Sequence, residues 1–399
     1  MVVISHIHTR YMSKKVILRL EDGTEFTGRS FGADSPVTGE VVFNTAMTGY
    51  PESLTDPSYA GQIMVMTFPL VGNYGVPALS TEKNGLATYM ESDRIYAKAI
   101  VCQDYSEEYS HWNASTSLAE WLKKEGVPGV TGIDTRELTK VLRENGSMMG
   151  KIIFGSDDST DFGKYDGENY VAQVSCKEVI RYCASDYREP ANRLPEDIPP
   201  FVSADADKRP TVVLVDCGVK NNIIRCLLKR NVDVVRVPWD YDFTDMEFDG
   251  LFLANGPGDP NTCSVTVDHI RAFMDKEAAC GGRVRPIMGI CMGNQLLAKA
   301  AGATIYKLKY GHRSHNQPVR MEGTERCYIT TQNHGYAVDT TTLDKDWEPL
   351  FTNMNDGSNE GVRHKRYPWF SAQFHPEACA GPTDTEFLFD KFVEKLKGE

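Results

Sequence analysis

From Thr211 onward, short β-branched runs alternate with segments of helical period, and this alternation restricts the fold more than any other feature of the chain. Thr211 to Val215 is followed by a helical pattern from Val219 to Lys229. Val232 to Val237 and Gly250 to Ala254 are the next strands, and the second leads through a turn into a helix from Val265 to Lys276. Pro286 to Ile290 is the fourth strand and runs into a helix from Asn294 to Ala301, with Gly302 as its stop. Such alternation predicts a mostly parallel sheet with helices on both faces. Ligands of these sheets bind at the carboxyl ends of the strands. The residues that follow each strand are therefore where chemistry is expected.

Three segments meet that condition. Asn255-Gly256-Pro257-Gly258-Asp259-Pro260 follows one strand, and its glycines allow the backbone to come close to a ligand. Gly289-Ile290-Cys291-Met292-Gly293 lies between a strand and a helix, the setting of a nucleophile elbow. The small residues relieve crowding there, and the helix N-terminus supplies N–H donors and a dipole that favours thiolate. Gln373-Phe374-His375-Pro376-Glu377 follows the apolar segment Trp369 to Phe374. In an extended chain residues i and i+2 share a face, so His375 and Glu377 are expected to point together. A carboxylate beside an imidazole fixes its tautomer and supports the cation. His315, His334 and His364 sit in segments read as loops. Together the three segments offer nucleophile, base, orienting group and oxyanion donors, the logic of acyl transfer by a thiolate.

The first half reads as mixed strand and helix. Val16 to Leu20 and Phe26 to Ser30 flank Asp22-Gly23, a hairpin signal. Gly39 to Phe43 and Gln62 to Phe68 suggest further strands. Helices start at Ser117, with Glu120 three positions on, and at Asp134, with Glu137 three on; both have capping-box spacing. The pattern weakens between about Gly155 and Pro210, apart from a short helix expected around Val171 to Tyr182. The expected organisation is an N-terminal mixed α/β domain over 1–155, a linker over 156–209 and an α/β domain over 210–399. A chain of 399 residues exceeds what one core usually serves.

The net charge of −12 argues against nucleic acid as a partner. No apolar stretch reaches the ~20 residues that span a bilayer, and the N-terminus lacks an uninterrupted apolar signal. No membrane association is expected, and the place expected for the chain is the cytoplasm. None of the ten cysteines forms a C-x-x-C pair, which argues against a zinc ribbon, and no metal site is expected.

Gly289-Ile290-Cys291-Met292-Gly293-Asn294-Gln295 with Phe374-His375-Pro376-Glu377 resembles the triad-type, class I glutamine amidotransferases. Further motifs are Gly39-Glu40-Val41-Val42-Phe43-Asn44-Thr45, Met47-Thr48-Gly49-Tyr50-Pro51-Glu52, Leu54-Thr55-Asp56-Pro57-Ser58-Tyr59 and Gly132-Ile133-Asp134-Thr135-Arg136. These resemble the small, glutamine-hydrolysing subunit of carbamoyl phosphate synthetase, from about residue 16 to the end. Phe68 to Gly75 and Asn355 to Gly361 are similar to the eukaryotic form fused into pyrimidine-synthesis proteins, so one domain of a longer polypeptide is an open expectation.

The resemblance implies Cys291, His375 and Glu377 as catalytic triad and Gly256 with the Met292 backbone as oxyanion hole. It implies Ser58, Gly258, Gln295, Asn333, Gly335 and Tyr336 as glutamine contacts, with the pocket between domains because Ser58 lies in the first. It further implies no cofactor in this chain and a large synthetase partner that uses ATP, magnesium and bicarbonate. Neither an ATP-binding G-x-x-x-x-G-K-[ST] loop nor room for a synthetase is present in these residues. Asn294 stands where the family usually has His, and Ser314 where Gly is common. The competing reading is a non-catalytic subunit that binds and regulates the synthetase.

Overall fold

The structure, a computed structural model, describes residues 13–155, 158, 161–188 and 209–398. Part of the expected linker therefore lies outside the described residues. In the first half seven strands close into a barrel, in the order Lys15–Leu20, Met148–Phe154, Val37–Asn44, Gln62–Met66, Ala99–Val101, Gly129–Thr131 and Glu25–Ser30. The expected hairpin is present, with Ile17 opposite Thr27 and Gly23 at φ 89° in its turn. Val16, Leu18, Leu20, Val41, Ile63, Val65 and Ile152 form a buried cluster, which the helix Thr135–Asn145 joins with Leu138 and Leu142.

The two predicted helix starts differ. At Ser117 both capping-box bonds form, the Glu120 N–H donating to Ser117 Oγ (3.1 Å) and the Ser117 N–H to Glu120 Oε2 (3.2 Å). At Asp134 only the forward bond forms, and Glu137 instead accepts from Lys140 Nζ at 2.9 Å. A lysine one turn along competes successfully for that carboxylate.

The second half is built on a ten-stranded sheet. Its centre is parallel: Asp233–Pro238, Thr211–Asp216, Gly250–Leu253, Ile287–Ile290 and Trp369–Ala372 in that order. Helices cover both faces, Asn221–Leu228 and Phe387–Lys397 on one and Ser264–Ala279 and Met292–Ala300 on the other. The parallel part is thus the middle of the sheet. Antiparallel strands extend it on both sides: Ile180–Tyr182 at one edge, and Asn359–His364, Trp347–Asn353, Thr304–Met321 and Cys327–Asp339 at the other.

Two expectations are corrected here. The helix predicted around Val171 to Tyr182 is only Tyr170–Val174, and Ile180–Tyr182 pairs with the neighbouring edge strand. An unpaired edge there would leave a row of backbone N–H and C=O groups without partners, and this short strand covers it. His315, His334 and His364 are not in loops; they lie in the strands Thr304–Met321, Cys327–Asp339 and Asn359–His364. The long hairpin shifts register between Lys307 and His312 and again between Ser314 and Gln317. Each shift interrupts the two-residue alternation by which a strand is read.

Candidate active site

Cys291 sits between the strand Ile287–Ile290 and the helix Met292–Ala300, with φ 54° and ψ −103°. Only Asn231 among the other described non-glycine residues has positive φ. A backbone so placed is costly, and the surrounding structure holds it. Two glycines make this possible. A Cβ on Gly293 would run into the Leu253 carbonyl, and one on Gly289 would lie 2.6 Å from Gly293 O. The elbow therefore packs backbone on backbone. Cys291 is buried, and Sγ lies 3.6 Å from the Asn333 carbonyl. The Met292 N–H, in the first turn of the helix, has no carbonyl of its own helix to meet.

The base and its partner are brought together, but not in the expected way. The strand stops at Ala372, and His375-Pro376-Glu377 lies in a turn that Ala378 N–H closes on His375 O (3.2 Å). The i, i+2 pairing thus comes from a turn and not from extended chain. His375 Nδ1 and Glu377 Oε1 are 2.7 Å apart, both residues 1% exposed. Since Nδ1 is engaged, Nε2 is the nitrogen left for the thiol, and it has no other partner.

Lys220 joins the site although no sequence motif marks it. It precedes the helix Asn221–Leu228 and is itself buried. Its Nζ lies 2.8 Å from Glu377 Oε1 and 3.4 Å from His375 Nδ1. Burial acts against its charge, but Glu377, Asp56 and Glu91 outweigh this and raise its pKa. For His375, burial and the Lys220 cation both oppose the imidazolium, yet Glu377 and the Cys291 hydrogen bond raise it to about 9. Glu377 is held at about 2, where burial is overcome by Lys220 and His375. The site is thus a buried cation–carboxylate–imidazole chain leading to a thiol.

The cleft beside Cys291 is lined by Ser58, Gly256, Gly258, Gln295, Asn333, Gly335 and Tyr336, every expected glutamine contact. Met292 is packed in the core, with its backbone at the elbow. Asn255 joins the halves of the chain: Nδ2 donates to Ser58 Oγ (2.9 Å) and Oδ1 accepts the Lys220 N–H (3.1 Å). Asp56 does the same from the other side, accepting from the Ser58 N–H (2.9 Å) and from Asn333 Nδ2 (3.2 Å). The cleft also takes in Tyr165, Lys307 and Arg313, which no motif marks, and Glu40, which lies in the Gly39 to Thr45 motif but has no role assigned by it. Tyr165 comes from the segment read as linker and stacks on Tyr170 at 4.6 Å.

Asn294 is not in the cleft. It is fully buried and ties strand to helix, donating to Gln373 Oε1 (2.8 Å) and accepting from Ser371 Oγ (2.7 Å). Ser314 has an ordinary φ, so its position does not call for glycine. Among the described residues one group has metal-ligand geometry: His312, His334 and Glu360. No helix among the described residues is long and apolar enough to cross a membrane.

A thiol at a strained elbow, a buried imidazole–carboxylate pair and a glycine-lined cleft define a class I glutamine amidotransferase, and residues 213–395 match the family model "Glutamine amidotransferase class-I". Residues 18–152 match "Carbamoyl-phosphate synthase small chain, CPSase domain". The chain belongs to the carbamoyl phosphate synthase small chain family. It is 47% identical over 387 residues to the "Carbamoyl phosphate synthase arginine-specific small chain" of Saccharomyces cerevisiae, across 96% of this chain and 89% of that protein. It is 47% identical over 396 residues to "Multifunctional protein pyr1-3" of Dictyostelium discoideum, across 97% of this chain and 17% of that protein. With "Multifunctional protein CAD" of Squalus acanthias the figures are 47% over 380 residues, 94% and 16%. The chain thus spans about a sixth of the length of these multifunctional relatives and most of the yeast small chain.

Proposed function

We propose that the chain is the glutaminase component of a carbamoyl phosphate synthetase. The observation that carries this is the position of His375, between Glu377 on Nδ1 and the Cys291 thiol. The Cys291 thiolate attacks the side-chain amide carbon of glutamine, and the oxyanion is held by the N–H groups of Gly256 and Met292. The C–N bond breaks as His375 gives its proton to the leaving ammonia, leaving a γ-glutamyl thioester. His375 then takes a proton from water, the hydroxide attacks, the C–S bond breaks, and glutamate leaves with the thiolate restored. A base raised to about 9 is charged at neutral pH, as the protonation step requires. Glu40, Lys307 and Arg313 give the cleft charges of both signs, Lys307 Nζ lying 3.4 Å from Glu40 Oε1, and these suit the ammonium and carboxylate of a free amino acid.

The partner in this reading is a large synthetase subunit or domain that consumes the ammonia with bicarbonate, ATP and magnesium. The supports are the family, and relatives in which the matched part is a small fraction of a multifunctional protein. A cytoplasmic setting belongs to the same proposal. The test is glutamate release from glutamine, with and without the synthetase, beside Cys291→Ala. Release that rises with the partner and is lost in the variant is the expected result. Equal release in parent and variant would refute Cys291 as nucleophile.

A further inference from the structure

Behind the cleft, three antiparallel strands converge on one buried point. His312 comes from Thr304–Met321, His334 from Cys327–Asp339 and Glu360 from Asn359–His364. His312 and His334 are cross-strand partners, with ring centroids 4.9 Å apart at 83°. His312 Nδ1 lies 3.4 Å and His334 Nε2 3.8 Å from Glu360 Oε1. Ligands held at 2.0–2.1 Å around a tetrahedral zinc ion stand about 3.3–3.4 Å apart, so the two nitrogen–oxygen distances lie close to that edge length, and all three atoms fall within 4.8 Å of one another. Glu360 is 0% exposed, and its Oε2 has no hydrogen-bond partner.

The outer nitrogens are fixed as well. His312 Nε2 meets Asp356 Oδ2 at 2.8 Å, and His334 Nδ1 meets the Tyr336 carbonyl at 2.9 Å. Ring nitrogens pinned in this way, one on a carboxylate and one on a backbone carbonyl, are the usual support of metal-binding imidazoles. They leave the inner nitrogens, His312 Nδ1 and His334 Nε2, to face the carboxylate. Gln332 Oε1 lies 3.2 Å from His334 Nε2, a neutral oxygen within reach of a fourth position. Asn353 Nδ2 donates to Glu360 Oε1 at 3.0 Å and anchors that carboxylate.

We propose that His312, His334 and Glu360 bind a divalent transition metal, zinc foremost, behind the glutamine cleft. Two imidazoles and a carboxylate suit zinc better than magnesium or calcium, which prefer all-oxygen sites. The ion would pin His334 between Asn333 and Gly335, both of which line the cleft. Its role is to hold the substrate strand. The alternative occupant is a proton shared between His312 Nδ1 and Glu360.

The test loads the full chain with Zn²⁺, removes free metal by gel filtration and measures bound metal per chain. Co²⁺ is the spectroscopic probe, and Glu360→Gln and His312→Gln are the variants. One equivalent of zinc, at least tenfold weaker binding in either variant, and a tetrahedral Co²⁺ spectrum without thiolate charge-transfer bands are expected. No bound metal in the parent would overturn the proposal and assign the space to the proton. Metal retained equally in the variants, or thiolate bands in the cobalt spectrum, would overturn it too, placing the ion on cysteines. Where a variant fails to fold, the cobalt spectrum of the parent decides.

Discussion

Gly289→Ala tests whether the elbow is set by backbone contact. The added Cβ would lie 2.6 Å from Gly293 O, 2.7 Å from Gly293 C and 3.0 Å from Asn294 N, all backbone atoms of the helix that Cys291 caps. The first distance has to open to at least 3.0 Å, and to 3.4 Å for ordinary contact, a shift of 0.4 to 0.8 Å. No flexible side chain can absorb it. Overpacking of this kind costs about 1–3 kcal/mol. In a domain of this size that lowers Tm by about 2–4 °C per kcal/mol. The same shift moves Cys291 Sγ relative to His375, where a misplacement of about 1 Å costs on the order of 10²-fold. A loss of about tenfold to a hundredfold in kcat/KM for glutamine is expected. Gly282→Ala is the control, because the nearest atom to its Cβ is Cys280 O at 4.0 Å. Thermal melts and glutamate release on both variants give the answer. A Gly289→Ala protein with parental Tm and kcat/KM would refute the claim that the elbow depends on this approach.

Burial and then the Lys220 cation act against the His375 imidazolium. Lys220→Met removes the second, so the alkaline fall of kcat/KM moves above about 9 in a pH profile; a fall that stays put or moves to lower pH contradicts the assigned role. Glu377 is depressed to about 2 despite burial, by Lys220 and His375, so it adds stability above the ordinary 4.5 and loses it as pH falls through about 2. The Tm gap between the parent and Glu377→Gln is therefore full at neutral pH and closes across that acid range; a gap independent of pH argues against the ion pair. Asp56→Asn places an amide against the Asn333 amide and the Ser58 N–H, where one carboxylate served both. KM for glutamine should rise about tenfold with kcat less affected, since the lost acceptor positions substrate contacts; an unchanged KM would remove Asp56 from the site.

What the sequence discloses is what local chemistry encodes. The elbow is legible because a nucleophile between small residues at a strand–helix junction has few other uses, and Gly289 and Gly293 do pack as that requires. Ser117 with Glu120 is legible because both capping bonds span three residues. His375 and Glu377 pair for a reason other than strand alternation: the chain turns after Ala372, and proximity in sequence brings them together. Lys220 was not legible because its partner lies 157 positions away, at Glu377, and nothing near it forms a motif. The same holds for His312, His334 and Glu360, which come from three strands of irregular register, with Trp347–Asn353 between two of them in the sheet.

Lys220 also explains why the site needs both halves of the chain. A buried cation is stable only where opposite charges repay its lost hydration. Glu377 is one such charge, but Asp56 and Glu91 are the next two, and both belong to the first half. Glu91 is fixed there by the Asn222 N–H at 3.0 Å, and Asp56 by Ser58 and Asn333. Lys220 in turn sets the charge on Glu377 and opposes the proton on His375. The barrel half therefore reaches the nucleophile through two carboxylates, one ammonium and one imidazole. Any displacement of Asp56 or Glu91 therefore changes the balance at His375, and one of Asp56 also moves Ser58 and Asn333 in the cleft wall.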